Sequence, residues 1–156
     1  MKARRLIISI LALILAFSVL SLFSCGKVES EGRVTVVIEG ADGEYEIYGI
    51  DLSEVENKDG AVSILEALAA REDKPLALDM TDGSYGKMIN SIGGLNPDAT
   101  KNEYVAIYTS VEEDFDVSEY KKTLTYEGRT LATSGVGISG MSASDGTVIL
   151  FRTETW

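Results

Sequence analysis

Val62-Ser63-Ile64-Leu65-Glu66-Ala67-Leu68-Ala69-Ala70-Arg71-Glu72 decides how the rest of the chain is read. Ile64, Leu65, Leu68 and Ala69 fall on one face at helical spacing, while Glu66, Ala67 and Ala70 fall on the other. Ser63 followed three residues later by Glu66 predicts a capping box, with Val62 as the staple residue before it. Lys74-Pro75 is expected to end the run, because proline cannot continue the hydrogen-bond ladder and restricts the residue before it. A helix this short is marginal alone, so its apolar stripe must press on something.

What lies around it reads as strand. Arg33–Glu39 (RVTVVIE) is β-branched and alternating; Gly40–Gly43 turns, and Glu44–Ile50 alternates behind it, predicting an N-terminal hairpin. Beyond the helix, Leu76–Met80 reads as a short strand turned by Asp82-Gly83. Glu103–Thr109 (EYVAIYT) sets Val, Ala and Ile between tyrosines, the composition of a central strand. Thr123–Leu131 reads as a hairpin turning at Glu127-Gly128, and Thr147–Thr153 as the last strand. The second strand of a hairpin runs antiparallel to the first, so the last strand is expected to return beside strand one. Together these predict an α+β fold, β-grasp-like: a mostly antiparallel sheet packed on one short helix and curled around it.

The first 32 residues of the 156 read as an address. Lys2, Arg4 and Arg5 are followed by an apolar run from Leu6 to Phe23, the layout of a secretory signal. The run closes on Leu22-Phe23-Ser24-Cys25, which resembles the lipobox of bacterial lipoproteins, and Cys25 is the only cysteine in the chain. The reading is a signal peptide at 1–24, a lipid-anchored linker at 25–32 and the folded domain at 33–156. A retained membrane helix is the alternative, since the apolar run approaches the ~18 residues a span needs. Either way the domain lies outside the cytoplasm, on a membrane.

Charge and composition remove several function classes. The chain carries −11 formally; without residues 1–24 it has 11 basic against 25 acidic groups, or −14. Such a surface repels phosphate backbones, so no nucleic-acid partner is expected. Histidine is absent, which removes the commonest general base and zinc ligand. Asp114-Phe115-Asp116-Val117-Ser118 opens like a calcium loop, but Glu119 stands where the sharp turn needs glycine. An ordinary charged loop is the simpler reading of 112–119. No enzyme, catalytic residue, metal or cofactor is expected.

Several motifs, in order, carry a resemblance. Ser63–Leu68 is followed by Gly83-Ser84-Tyr85, then Ile89–Leu95 (INSIGGL), then Tyr104–Tyr108, and finally Ser144–Phe151. From Arg33 to Trp156 the chain resembles a family of domains of unknown function that is similar to the C-terminal domain of transcobalamin and intrinsic factor. Two positions depart from the family pattern: Val105 follows Tyr104 where tryptophan is usual, and Thr147 follows Gly146 where aspartate is usual. In the vitamin carriers this domain covers one face of cobalamin. The resemblance therefore implies a binding module, with cobalamin as a ligand rather than a cofactor. By family geometry it would lie near Tyr85, Ser91, Gly93, Gly94, Tyr104 and Met141. The alternative is an adhesion or interaction domain that offers an exposed edge strand or loops to another extracellular protein.

Overall fold

The computed structural model describes residues 26–84 and 86–156. The signal peptide and Cys25 lie outside them, as does Tyr85. Among the described residues no helix is long and apolar enough to cross a membrane.

Among the described residues, eight strands and one α-helix follow in order: β1 (Arg33–Glu39), β2 (Tyr45–Asp51), α1 (Val62–Ala69), β3 (Leu78–Gly83), β4 (Gly86–Ile92), β5 (Glu103–Thr109), β6 (Thr123–Tyr126), β7 (Arg129–Thr133) and β8 (Val148–Thr155). Six strands form one sheet in the order β2-β1-β8-β5-β7-β6, and β3 and β4 pair separately. β8 does return beside β1, in parallel, with Val37 opposite Leu150. The other strand pairs are antiparallel. The expected α+β architecture is the one observed.

Alternation sorts the central strands onto two faces. Val34, Val36, Ile38, Ile149 and Phe151 point toward α1 and bury against Ile64, Leu65 and Leu68. Each such side chain taken fully out of water contributes about 1.5–3 kcal/mol, which is what holds an eight-residue helix. Val37, Val148, Leu150, Ala106, Tyr108 and Leu131 form a smaller core on the opposite face. The curl runs toward that opposite face. Tyr45 of β2 and Tyr126 of β6, from the two outer strands, meet edge to face with ring centroids 5.3 Å apart. The helix thus sits outside the curl rather than within it, because Tyr126, Leu124 and Leu131 of β6 and β7 pack onto the second core.

Both ends of α1 differ from expectation. The helix begins at Val62 with Ala61 as the cap residue, so Ser63 falls inside the first turn. Its hydroxyl donates to Gly60 O at 2.8 Å, and no capping box forms. A long-range bond replaces it: Ala61 N–H donates to Met141 O at 2.9 Å. Gly60 makes the approach feasible, having φ +67° and so little room that a Cβ would lie 2.1 Å from Ser139 O. At the other end the helix stops at Ala69, well ahead of Pro75, where Leu76 N–H returns to bond Leu68 O at 3.1 Å. The chain folds back before proline can act.

Candidate functional site

Strand order makes β5 an inner strand, but its two edges are unlike. Toward β8 it pairs along its whole length, Glu103 with Thr155 through Thr109 with Ile149. Toward β7 pairing covers only Tyr108 with Thr133 and Thr109 with Ala132. The expectation of a central strand is therefore met for order and corrected for pairing. From Glu103 to Ile107 the edge faces two grooves.

The larger groove, about 820 Å³, runs between this edge and β4. Met88 and Ile89 form one wall; Val105, Ile107 and Ile138 form the other, with Trp156 at one end. β4 is held in place by the turn at 138–140, whose Ser139 Oγ accepts from Lys87 N–H at 3.0 Å, and Lys87 pairs with Asp82 at 2.9 Å. The smaller groove, about 540 Å³, lies on the other side of the edge and is lined by Tyr104, Ala106, Tyr120, Val136 and again Trp156. Tyr104 and Trp156 stack at a tilt, centroids 5.2 Å apart. Most of the wall is apolar, with polar atoms supplied by backbone and a few rim side chains, as in a pocket for an organic ligand.

Behind Tyr104, on the concave face, lies a polar knot. Glu154 accepts hydrogen bonds from Tyr108 Oη and Lys122 Nζ. Burial pushes the Glu154 carboxyl up, but the bonds from Lys122 and Tyr108 outweigh it and hold the group below the usual carboxylate range. The Tyr108 hydroxyl is driven upward by burial and then by that same carboxylate. Burial raises Tyr104 as well, with Glu154 adding to it. Arg152 Nη1 pairs with Glu39 at 3.2 Å, while its buried Nε stands 3.6 Å from Glu154, beyond hydrogen-bond reach. Burial and these contacts thus move Glu154 downward and Tyr104 and Tyr108 upward, away from neutrality.

The residues named from the resemblance are scattered. Tyr104 lies between the two grooves. Ser91 sits in β4 opposite Asp79, half-buried. Gly93 donates to Ala77 O at 2.8 Å and adopts φ +58°, while Gly94 lines a separate cleft with Tyr45 and Glu46. Met141 is fully buried under α1, so its side chain packs the core and offers a ligand no surface. Tyr85 and Cys25 lie outside the described residues. Missed altogether were Met88, Ile89 and Trp156. Two adjacent apolar residues in the polar run GKMINSI, and an aromatic following the last strand, were the available signals. The loop at 112–119 turns on itself, Asp116 accepting from Ser118 N–H at 2.8 Å and Asp114 from Ser142 N–H at 2.7 Å. Among the described residues no group of three metal-ligating side chains gathers.

No protein-family model and no curated protein matches the chain. Solved structures do match. The crystal structure of a candidate metal-binding protein from Ruminococcus gnavus ATCC 29149 superposes with a TM-score of 0.54 at 16% identity, over 81% of this chain and 99% of that one. Haptocorrin, solved in complex with Cbi, superposes with a TM-score of 0.56 at 15% identity, over 80% of this chain and 25% of haptocorrin. This chain is thus similar in fold to haptocorrin's C-terminal region: a mostly antiparallel six-stranded sheet, a separate hairpin and one short helix.

Proposed function

We propose that this chain is a non-enzymatic binding module, tethered by lipid at Cys25 on the outer face of a membrane, that takes a small organic ligand of the corrinoid class. The observation that carries the reading is the 820 Å³ apolar groove between β4 and β5, on a fold similar to part of a protein solved with Cbi bound. An amphipathic ring system would rest on Met88, Ile89, Val105 and Ile107 and abut Trp156, with backbone groups of β5 meeting its polar rim. Nothing in the site asks for catalysis: its lysines, Lys87 and Lys122, are paired with carboxylates, and histidine is absent from the chain.

Trp156 is the only tryptophan and lines both grooves beside β5, so its fluorescence reports on this edge of the sheet. Titration with cobalamin and cobinamide should give a saturable change in Trp156 emission and matching calorimetric heat, both weakened by Met88→Glu. Silence to millimolar ligand would remove the corrinoid reading. The tether has its own check: mass spectrometry of the mature protein should find the chain beginning at an acylated Cys25.

A further inference from the structure

We infer that the open half of β5 is a docking slot for an extended peptide segment of alternating apolar and basic residues, which joins the sheet as an added strand. The argument begins with hydrogen-bond parity. Ser110 N–H donates to Val148 O on the β8 side, and Ile107 O accepts from Ser134 N–H on the β7 side. Successive residues of a strand direct their N–H and C=O to opposite edges. The even-numbered residues of β5 thus bond β8, and the odd-numbered ones face away from it. With β7 pairing only at Tyr108 and Thr109, Val105 N–H, Val105 C=O and Ile107 N–H face the slot with no strand opposite among the described residues. A run of donor, acceptor and donor at strand spacing is the complement of another backbone, and unpaired strand edges are where peptides add.

The side chains around the edge agree. Six large apolar residues stand exposed on the described surface, and three of them, Met88, Tyr120 and Trp156, line the grooves on either side of this one edge. An added strand would send alternate side chains to opposite faces, one set toward Met88 and Ile89, the other toward Tyr104 and Tyr120. The charge at the rim selects further. Lys87 and Lys122 are already paired, with Asp82 and Glu154. Glu103 and Asp116 line the two grooves and have no cation partner among the described residues. Residues 26–156 carry −14, so a basic segment is drawn in and an acidic one repelled. The same charge opposes a second copy of this chain, and walls on both sides of the edge, β4 and residues 133–136, admit a single strand more readily than the edge of another sheet.

This inference stands apart from the corrinoid reading, although slot and groove share Val105, Ile107 and Trp156. A chain that ignores corrinoids and takes the peptide loses the first and keeps the second. The test uses the full-length chain held in detergent. Displayed random peptides of about ten residues are selected against it, with counter-selection on Val105→Pro, which removes one slot donor. The expected winners alternate apolar and basic residues, bind at least tenfold more weakly when their alternate amides are N-methylated, and slow hydrogen exchange at Val105 and Ile107 at least tenfold. Because N-methylation acts on the peptide, that arm stands even if Val105→Pro fails to fold. The inference is overturned if nothing is enriched over the unselected library. It falls equally if the winners tolerate N-methylation and leave both amides unchanged, or if sedimentation shows the slot filled by a second copy.

Discussion

β8 and β5 lie side by side and share seven paired residues, yet they meet their surroundings differently. β8 has β1 on one edge and β5 on the other, and Val148, Ile149, Leu150 and Phe151 are all buried. β5 carries much the same kind of sequence, but from Glu103 to Ile107 its second edge has no strand against it among the described residues, and Val105 and Ile107 are only half-buried. An inner place in the strand order therefore does not guarantee a sealed strand. Burial follows the length of pairing, and where pairing stops the backbone is left able to bind something else.

The sharpest way to test this contrast is by truncation. Phe151 of β8 and Ile107 of β5 are direct cross-strand partners, so they share local geometry. Phe151 is fully buried in the helix-side core, and Phe151→Ala should cost about 3–5 kcal/mol. Ile107→Ala borders the groove and should cost about 1–2 kcal/mol. Urea midpoints with unchanged slopes would measure both. Equal losses would mean that the open half of β5 is as much core as β8.

A smaller effect separates the carboxylates on either side of β5. Glu154 is held below the usual range by Lys122 and Tyr108 despite burial. Its ionised form is therefore favoured by folding, and its contribution is full above the ordinary carboxylate value and lost as pH falls through the lowered one. Asp114 is pushed the other way, burial raising it with the bond from Ser142 only partly opposing. The fold favours its protonated form, so its contribution is present in acid and lost as pH rises through the raised value. Glu154→Gln should thus lower neutral-pH stability by about 1–2 kcal/mol and flatten the acid limb. Asp114→Asn, which keeps an acceptor for Ser142 N–H, should raise neutral stability by less than about 1 kcal/mol and steepen that limb. Denaturation midpoints from about pH 2 to 7 would show opposite signs.

What could be read from residue order was what local pattern controls. Ile64, Leu65 and Leu68 lie at helical spacing and are buried where that spacing put them. The alternation of β1 and the return of β8 beside it also followed from pattern and chain geometry. The start of α1 did not, because the bond that defines it, Ala61 to Met141 O, crosses eighty positions of sequence. The same contact explains why Met141, placed near a ligand by resemblance, is core. β3 and β4 were hard to pair because the alternation in Leu78–Gly83 (LDMTDG) lasts only over Leu78 and Met80, and the register then shifts at an irregularity between Asp79 and Met80. The slot was invisible for a different reason: Tyr104–Tyr108 reads the same whether β7 pairs with all of it or only its end. Pairing length is set by where Ser134 turns away from Ile107, a property of the loop and not of the strand.

The account rests on the alternation of free and bonded amides along β5, and hydrogen exchange in the unliganded chain tests it residue by residue. Ala106 and Tyr108, directed at β8, should exchange near the global unfolding limit, while Val105 and Ile107 exchange faster by a factor on the order of a hundred or more. Uniformly slow exchange across all four would show that something already covers the edge, and the open slot would not exist.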